Sequence, residues 1–311
     1  MVRGELLQCT SSPCIECKSE RKLSIVSSIF INRGKEQCVM TIISKYMDIN
    51  GINTHYHEEG RGAEKIILIH GSGPGVSAFA NWRLIIPRLS ESYQVFAPDI
   101  IGFGKTDKLP NHQYTVELWV QHLISFIESV SDEPVHLVGN SMGGALALHV
   151  ACQRPDLVKK LILMGSVGIM HQISEGLERV WGYEPSLESM RELIELFSYD
   201  EKASKNEELV RLRYEASIEP EVKEAFSAMF PEPRQQKLDE LALTDEQIQL
   251  IKVQTLLFHG LNDKVIPIAD TSYPLIELLP HAELHVFNEC GHWTQIEKTE
   301  PFVENILRFI K

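Results

Sequence analysis

The segment Gly139-Asn140-Ser141-Met142-Gly143 constrains the fold of this chain more than any other. It follows an apolar run from Val135 to Val138 and precedes a helical pattern over 142–154. A serine flanked by glycines at a strand-to-helix boundary is the pattern of a nucleophile elbow, a tight turn that pushes the serine out at the end of a sheet. Gly139 and Gly143 carry no Cβ, so neighbouring backbone can pass close to the turn. Gly144 and Ala145 let the new helix lie against the sheet. The free amides of its first turn then point at whatever Ser141 attacks.

Such an elbow needs strands alternating with helices around it, and the alternation is legible. Asn50-Gly51 marks a hairpin between 47–49 and 54–57. Residues 65–70 form a continuous apolar run, as in a buried parallel strand, and end in Gly71-Ser72-Gly73-Pro74-Gly75. A helix is predicted over 82–89, a strand over 93–97, a turn-rich loop over 98–107 and a helix over 116–129. Further strands are predicted at 160–164, 255–259 and 283–287, and a last helix at 301–310. The fold class is therefore α/β, with a mostly parallel sheet and helices on both faces.

Between 166 and 245 the strand pattern stops. Leu187, Met190, Ile194 and Phe197 share one helical face; Val222, Ala225, Phe226 and Met229 share another. Asn206-Glu207-Glu208 reads as a cap and an acidic first turn. Because strands resume afterwards, this segment is expected to be a helical lid inserted over the end of the sheet. The organisation is then a leader at 1–45, a core at 46–165, the lid at 166–245 and the rest of the core at 246–311.

The leader mixes polar residues with Cys9, Cys14, Cys17 and Cys38, apart from a short apolar run at 23–31. The cysteine spacing formally matches a plant-type iron–sulfur site. The segment lacks a core to shield a cluster, so no metal and a disordered or poorly packed leader are expected. Met40 and Met47 are alternative starts. The beginning shows no signal peptide, and no apolar stretch approaches a membrane span, so free thiols and a cytoplasmic location are expected. The net charge of −13 argues against nucleic acid and anionic membrane surfaces. It also means that an anionic substrate needs local positive charge.

An activated serine requires a base, an acid to orient the base, and oxyanion donors. The expected chain order is nucleophile, acid, histidine. Asp263 follows the strand at 255–259, and His292 follows the last strand in Gly291-His292-Trp293. Position rather than residue type singles out His292 among 12 histidines. The oxyanion donors are expected to be the backbone N–H of Met142 and that of Ser72 in the His70-Gly71-Ser72-Gly73 loop. The Asp99 loop reads as a brace for the fold. A carboxylate nucleophile would be needed at the elbow for dehalogenase or epoxide hydrolase chemistry, and Ser141 argues against both.

The loop at 70–75, the elbow at 139–144 and Cys290-Gly291-His292-Trp293 together resemble the meta-cleavage product hydrolases of the α/β-hydrolase superfamily. Segments 181–185, 213–217 and 229–235 look most like the monocyclic branch of that family, the 2-hydroxymuconic semialdehyde hydrolases. The resemblance runs from about residue 50 to the end of the sequence. It implies a serine-dependent hydrolase that cleaves the C–C bond of 2-hydroxy-6-oxohexa-2,4-dienoates in aromatic degradation, without metal or organic cofactor. It implies that Arg213 holds the substrate carboxylate and 2-oxygen, and that Asn140, Asn81, Trp293 and Gly73 line the site. It also implies a homo-oligomer. Hydrogen, methyl, a larger alkyl or an aryl group at C6 all remain open. A general carboxylesterase with the same triad and a non-catalytic ligand-binding protein are the competing readings.

Overall fold

The computed structural model describes residues 26–33, 36–109 and 114–311. One sheet contains nine strands: β1 (Val26–Arg33), β2 (Glu36–Ile49), β3 (Ile52–Glu59), β4 (Lys65–Ile69), β5 (Gln94–Pro98), β6 (Val135–Asn140), β7 (Val158–Met164), β8 (Thr255–Gly260) and β9 (Ala282–Phe287). Their order across the sheet is β1-β2-β3-β5-β4-β6-β7-β8-β9. The first three strands and the β3–β5 pair are antiparallel, and every pair from β5 to β9 is parallel.

The β2–β3 hairpin turns at Asn50 and Gly51, with φ of 53° and 84°. Two successive left-handed residues give the turn whose twist matches that of the strands it joins. The expected leader boundary at 45 does not coincide with a boundary in the sheet. Residues 26–33 and 36–45 lie in β1 and β2, and β1 overlaps the apolar run at 23–31. Residues 1–25, with Cys9, Cys14 and Cys17, lie outside the described residues.

Successive side chains of a strand point to opposite faces. Here both faces are dry. Ile67, Ile69, Leu137, Leu161, Leu163 and Leu257 enter one core; Ile66, Leu68, Val138, Ile162, Met164 and Phe258 enter the other. That is why these strands read as unbroken apolar runs. Each buried aliphatic side chain contributes about 1.5–3 kcal/mol. Helices Val116–Val130 and Met142–Gln153 supply the first core, and helix Thr299–Ile310 the second.

Two helical expectations change. The helix expected over 82–89 is two short ones, Ala78–Trp82 and Ile86–Leu89, with Pro87 in the first turn of the second. A helix not anticipated, Ser272–Leu278, lies between β8 and β9. Pro274 occupies its first turn, where an N–H has no helical partner to lose.

Between β7 and β8 run the helices Glu175–Trp181, Leu187–Phe197, Glu207–Ile218, Pro220–Met229, Arg234–Leu241 and Asp245–Gln249. The last of these extends past the expected limit at 245. Ser174, Ser186 and Asn206 cap three of them, each side chain accepting from an amide three residues on. Met190, Ile194 and Phe197 are buried as their spacing requires, whereas Leu187, at the first helical position, is exposed.

Candidate active site

Strand β6 ends at Asn140 and the next helix starts at Met142, so Ser141 alone makes the turn. Its φ is 54° and its ψ −119°, a conformation that costs about 1–3 kcal/mol in a non-glycine residue. The surroundings hold it there. Ser141 N donates to Met164 O at 2.9 Å. A Cβ on Gly143 would lie 2.4 Å from His70 O, so only glycine lets the end of β4 pass this close to the elbow.

The loop after β4 is pinned by His70, which is fully buried. Its Nε2 accepts from Ile100 N at 3.0 Å, so Nδ1 carries the proton and donates to Gly71 O at 2.7 Å. Burial pushes the pKa of His70 down and keeps the ring neutral. Ser72, the next residue but one, accepts a 2.9 Å hydrogen bond at Oγ from Trp181 Nε1.

On the other side of the elbow, Asp263 and His292 meet. His292 Nδ1 is 2.7 Å from Asp263 Oδ2, and Asp263 Oδ1 accepts from Val265 N and Ile266 N, both at 2.8 Å. His259 Nε2 donates to Ile266 O at 2.7 Å and lies 3.4 Å from Asp263 Oδ2. Burial alone would raise the Asp263 pKa. The adjacent His292 charge and the hydrogen bonds from His259 and His292 override it and hold the carboxyl below the usual range. An ionised Asp263 fixes the Nδ1–H tautomer of His292 and leaves Nε2 as the basic nitrogen.

Ser141 and His292 face one cavity of about 210 Å³, whose walls also include Ser72, Gly73, Asn81, Asn140, Arg213 and Trp293. Asp263 stands behind His292. Met142 is fully buried and is the first residue of the helix, so its N–H has no intrahelical partner. Ser72, Gly73, Asn81, Asn140, Ser141, Arg213, His292 and Trp293 thus share one cavity, with Asp263 bonded to His292 and Met142 next to Ser141 in the chain. Asn81 and Asn140 form a pair: Asn81 Nδ2 donates to Asn140 Oδ1 at 3.1 Å, and Asn140 Nδ2 to Met164 O at 3.2 Å.

Arg213 gives the cavity its charge. Its Nε is buried without a hydrogen-bond partner, and its Cζ lies 5.7 Å from the centre of the Trp293 ring. Burial, and then the charge of Arg83, bring its pKa down to about 10, so it remains a cation. Trp293 in turn stacks on Phe197 at 5.0 Å and 11°.

Four residues near the site take roles that the sequence did not assign to them. Arg83 and Phe197 line the cavity, while Trp181 and His70 hold its walls. All four depend on contacts between distant segments, which no local pattern announces. Asp99 does brace the fold as expected. Its carboxylate takes His55 Nδ1 at 2.7 Å, Lys105 N at 2.8 Å and Ala78 N at 2.6 Å. Cys290 is fully buried beside His292, and burial pushes its thiol up to about 12, so it is a poor nucleophile.

The sequence profile of the α/β hydrolase fold matches residues 65–299. A 2-hydroxy-6-oxo-2,4-heptadienoate hydrolase of Pseudomonas putida is 45% identical over 268 residues, covering 86% of this chain and 96% of that one. A 2-hydroxymuconate semialdehyde hydrolase of a Pseudomonas species is 45% identical over 260 residues, covering 84% of this chain and 91% of its own. This chain belongs to the meta-cleavage product hydrolase family. A solved family member from Pseudomonas fluorescens, a serine-to-alanine variant complexed with acetates, superimposes with a TM-score of 0.83 at 48% identity. It covers 85% of this chain and 96% of that one. In the present hydrolase, no helix among the described residues is long and apolar enough to cross a membrane. Among the same residues, no group of three or more His, Cys, Asp or Glu side chains is placed to hold a metal ion.

Proposed function

We propose that this chain hydrolyses the C5–C6 bond of a 2-hydroxy-6-oxohexa-2,4-dienoate with a small C6 substituent. Candidates are 2-hydroxymuconic semialdehyde, which would release formate, and its 6-methyl analogue, which would release acetate. One observation carries the reading: an unpartnered arginine, Arg213, opens into the cavity that also holds Ser141 and His292. A simple esterase has no use for a desolvated cation there, whereas a substrate with a carboxylate and an ionisable 2-oxygen does. Leu177, Val180 and Val265 supply apolar wall, and the cavity of about 210 Å³ favours hydrogen or methyl over aryl at C6.

The chemistry follows from the leaving group. A proton moves to C5, so that the departing carbon becomes part of a stabilised dienolate. The 2-oxygen becomes a carbonyl, with Arg213 beside it. Ser141 Oγ then bonds to C6 and its proton passes to His292. The developing oxyanion is held by the N–H groups of Met142 and Ser72. The C5–C6 bond breaks, and its electron pair passes through the conjugated chain to the 2-oxygen, which takes the proton held by His292 and departs as the dienol. The acyl remainder of the carboxylic acid stays as an ester on Ser141. Water deprotonated by His292, with Asp263 orienting the ring, releases that acid.

The test is to follow loss of the yellow dienolate of 2-hydroxymuconic semialdehyde beside its 6-methyl and 6-phenyl analogues, with wild type and Ser141→Ala. Rapid loss with wild type alone supports the reading, and the ranking of the three names the C6 group. Failure on all three alongside brisk p-nitrophenyl ester cleavage would make the protein an esterase.

A further inference from the structure

Arg83 caps the helix Ala78–Trp82, two residues beyond Asn81, and its side chain lines the same cavity as Ser141 and Arg213. One nitrogen is tied down: Nη1 donates to Ala80 O at 2.5 Å. Burial lowers its pKa, and no carboxylate acts in the other direction. Arg213 is near enough that the charge of Arg83 is, after burial, the next cause of its own lowered pKa.

Neither arginine has a carboxylate at ion-pair distance among the described residues. Elsewhere Arg88, Arg154, Arg179, Arg191 and Arg234 each pair with an acid. The chain holds 43 acidic residues against 30 lysines and arginines, so acid partners are abundant. Two partly buried cations lining one cavity, with no acid between them among the described residues, are costly without a bound anion. A monoanion bound there would leave one charge uncompensated, and a dianion would leave none.

We propose that Arg83 and Arg213 form a single dianion subsite, taking a carboxylate together with a second anionic oxygen on the adjacent carbon. Arg83 is the member that separates dianions from monoanions. The inference rests on the proposed reaction only for the name of the natural dianion, which would be the dienolate form of the substrate. That form carries its second charge on the 2-oxygen. It is the form from which C5 can take a proton, and the same charge reappears when the C5–C6 bond breaks.

The experiment uses oxalate and pyruvate with the full chain at neutral pH. Both present a carboxylate with an oxygen on the next carbon, ionised in oxalate and neutral in pyruvate. Apparent Kd values come from the ligand-dependent rise in Tm, which needs no turnover. Wild type should bind oxalate more tightly than pyruvate. Arg83→Gln should weaken oxalate roughly tenfold or more and pyruvate by less than about threefold, with Arg83→Lys in between. Equal weakening of both ligands, or of neither, would reduce Arg83 to a packing residue. If Arg83→Gln does not fold, wild type still decides: oxalate binding no tighter than pyruvate overturns the dianion subsite. Absence of dienoate turnover would overturn the reaction and leave this result standing.

Discussion

Trp181 Nε1 donates to Ser72 Oγ at 2.9 Å, joining residues 109 positions apart. The bond runs from the inserted helix Glu175–Trp181 to the loop expected to supply an oxyanion donor. The other end of that helix meets the acid loop, where Ser174 Oγ donates to Val265 O at 2.6 Å. One short helix therefore spans from the Asp263 loop to Ser72. Hydrogen bonds thus tie the inserted segment to the loops that carry Ser72 and Asp263.

Trp181→Phe tests that coupling. Phenylalanine keeps an aromatic ring against Phe230, which now stacks on Trp181 at 4.6 Å and 13°, and it removes the N–H together with part of the ring system. A hydrogen bond of this kind is worth about 1 kcal/mol, so kcat should fall roughly fivefold with KM little changed. Ser72→Ala should cause a similar loss, and the double variant should be no worse than either single one. Additive losses would mean that the two residues act separately.

Asp263→Asn addresses the tautomer. The amide can keep the packing but donates as readily as it accepts, so it no longer enforces Nδ1–H on His292. By the logic of the serine–histidine–aspartate triad, kcat should drop by about 10⁴. Substrate binding should persist, as read by equilibrium binding of the product. A loss of less than about tenfold would remove Asp263 from the proposed mechanism.

Two buried histidines away from the site should contribute to the loss of stability in acid. His57 and His122 are both pushed down to about 4, chiefly by burial, from an ordinary value of 6.5. The unfolded chain takes up these protons as pH falls below 6.5, while the folded chain does not until about pH 4. Stability is therefore fully present above 6.5 and declines through that window, by about 1.4 kcal/mol per pH unit for each histidine. His122 Nε2 is 2.7 Å from Thr54 Oγ1, a contact that Gln can reproduce. Urea unfolding at pH 7, 6 and 5 should show a shallower pH slope for His122→Gln, and an unchanged slope would place the proton uptake elsewhere.

The parallel part of the sheet was legible because both its faces are buried, which turns β4, β6, β7 and β8 into continuous apolar runs. The elbow was legible because its glycines answer to backbone contacts so close that no other residue fits, as Gly143 against His70 O shows. The roles of Arg83 and Trp181 were not legible. Their importance lies in partners brought in by the inserted helices, and a lone arginine or tryptophan in sequence carries no sign of what will face it. Strand β1 escaped for a different reason. It coincides in part with the short apolar run at 23–31, which stood alone among polar residues and was not read as a strand, and it joins the sheet as an antiparallel edge.

Arg213→Leu is the sharpest test of substrate charge. Leucine fills similar space against Trp293 and Phe197 but offers no donor, and it leaves Arg83 as the only arginine lining the cavity. Losing a charge-assisted contact of about 1.5–3 kcal/mol should lower kcat/KM for the dienoate roughly 10- to 100-fold. A neutral p-nitrophenyl ester has no carboxylate to lose and should suffer much less. Arg213→Lys keeps the charge but not the planar fork that lies against the Trp293 ring, so it should recover only part of the loss. If the dienoate and the ester decline in parallel, Arg213 supports the shape of the cavity rather than the charge of its occupant.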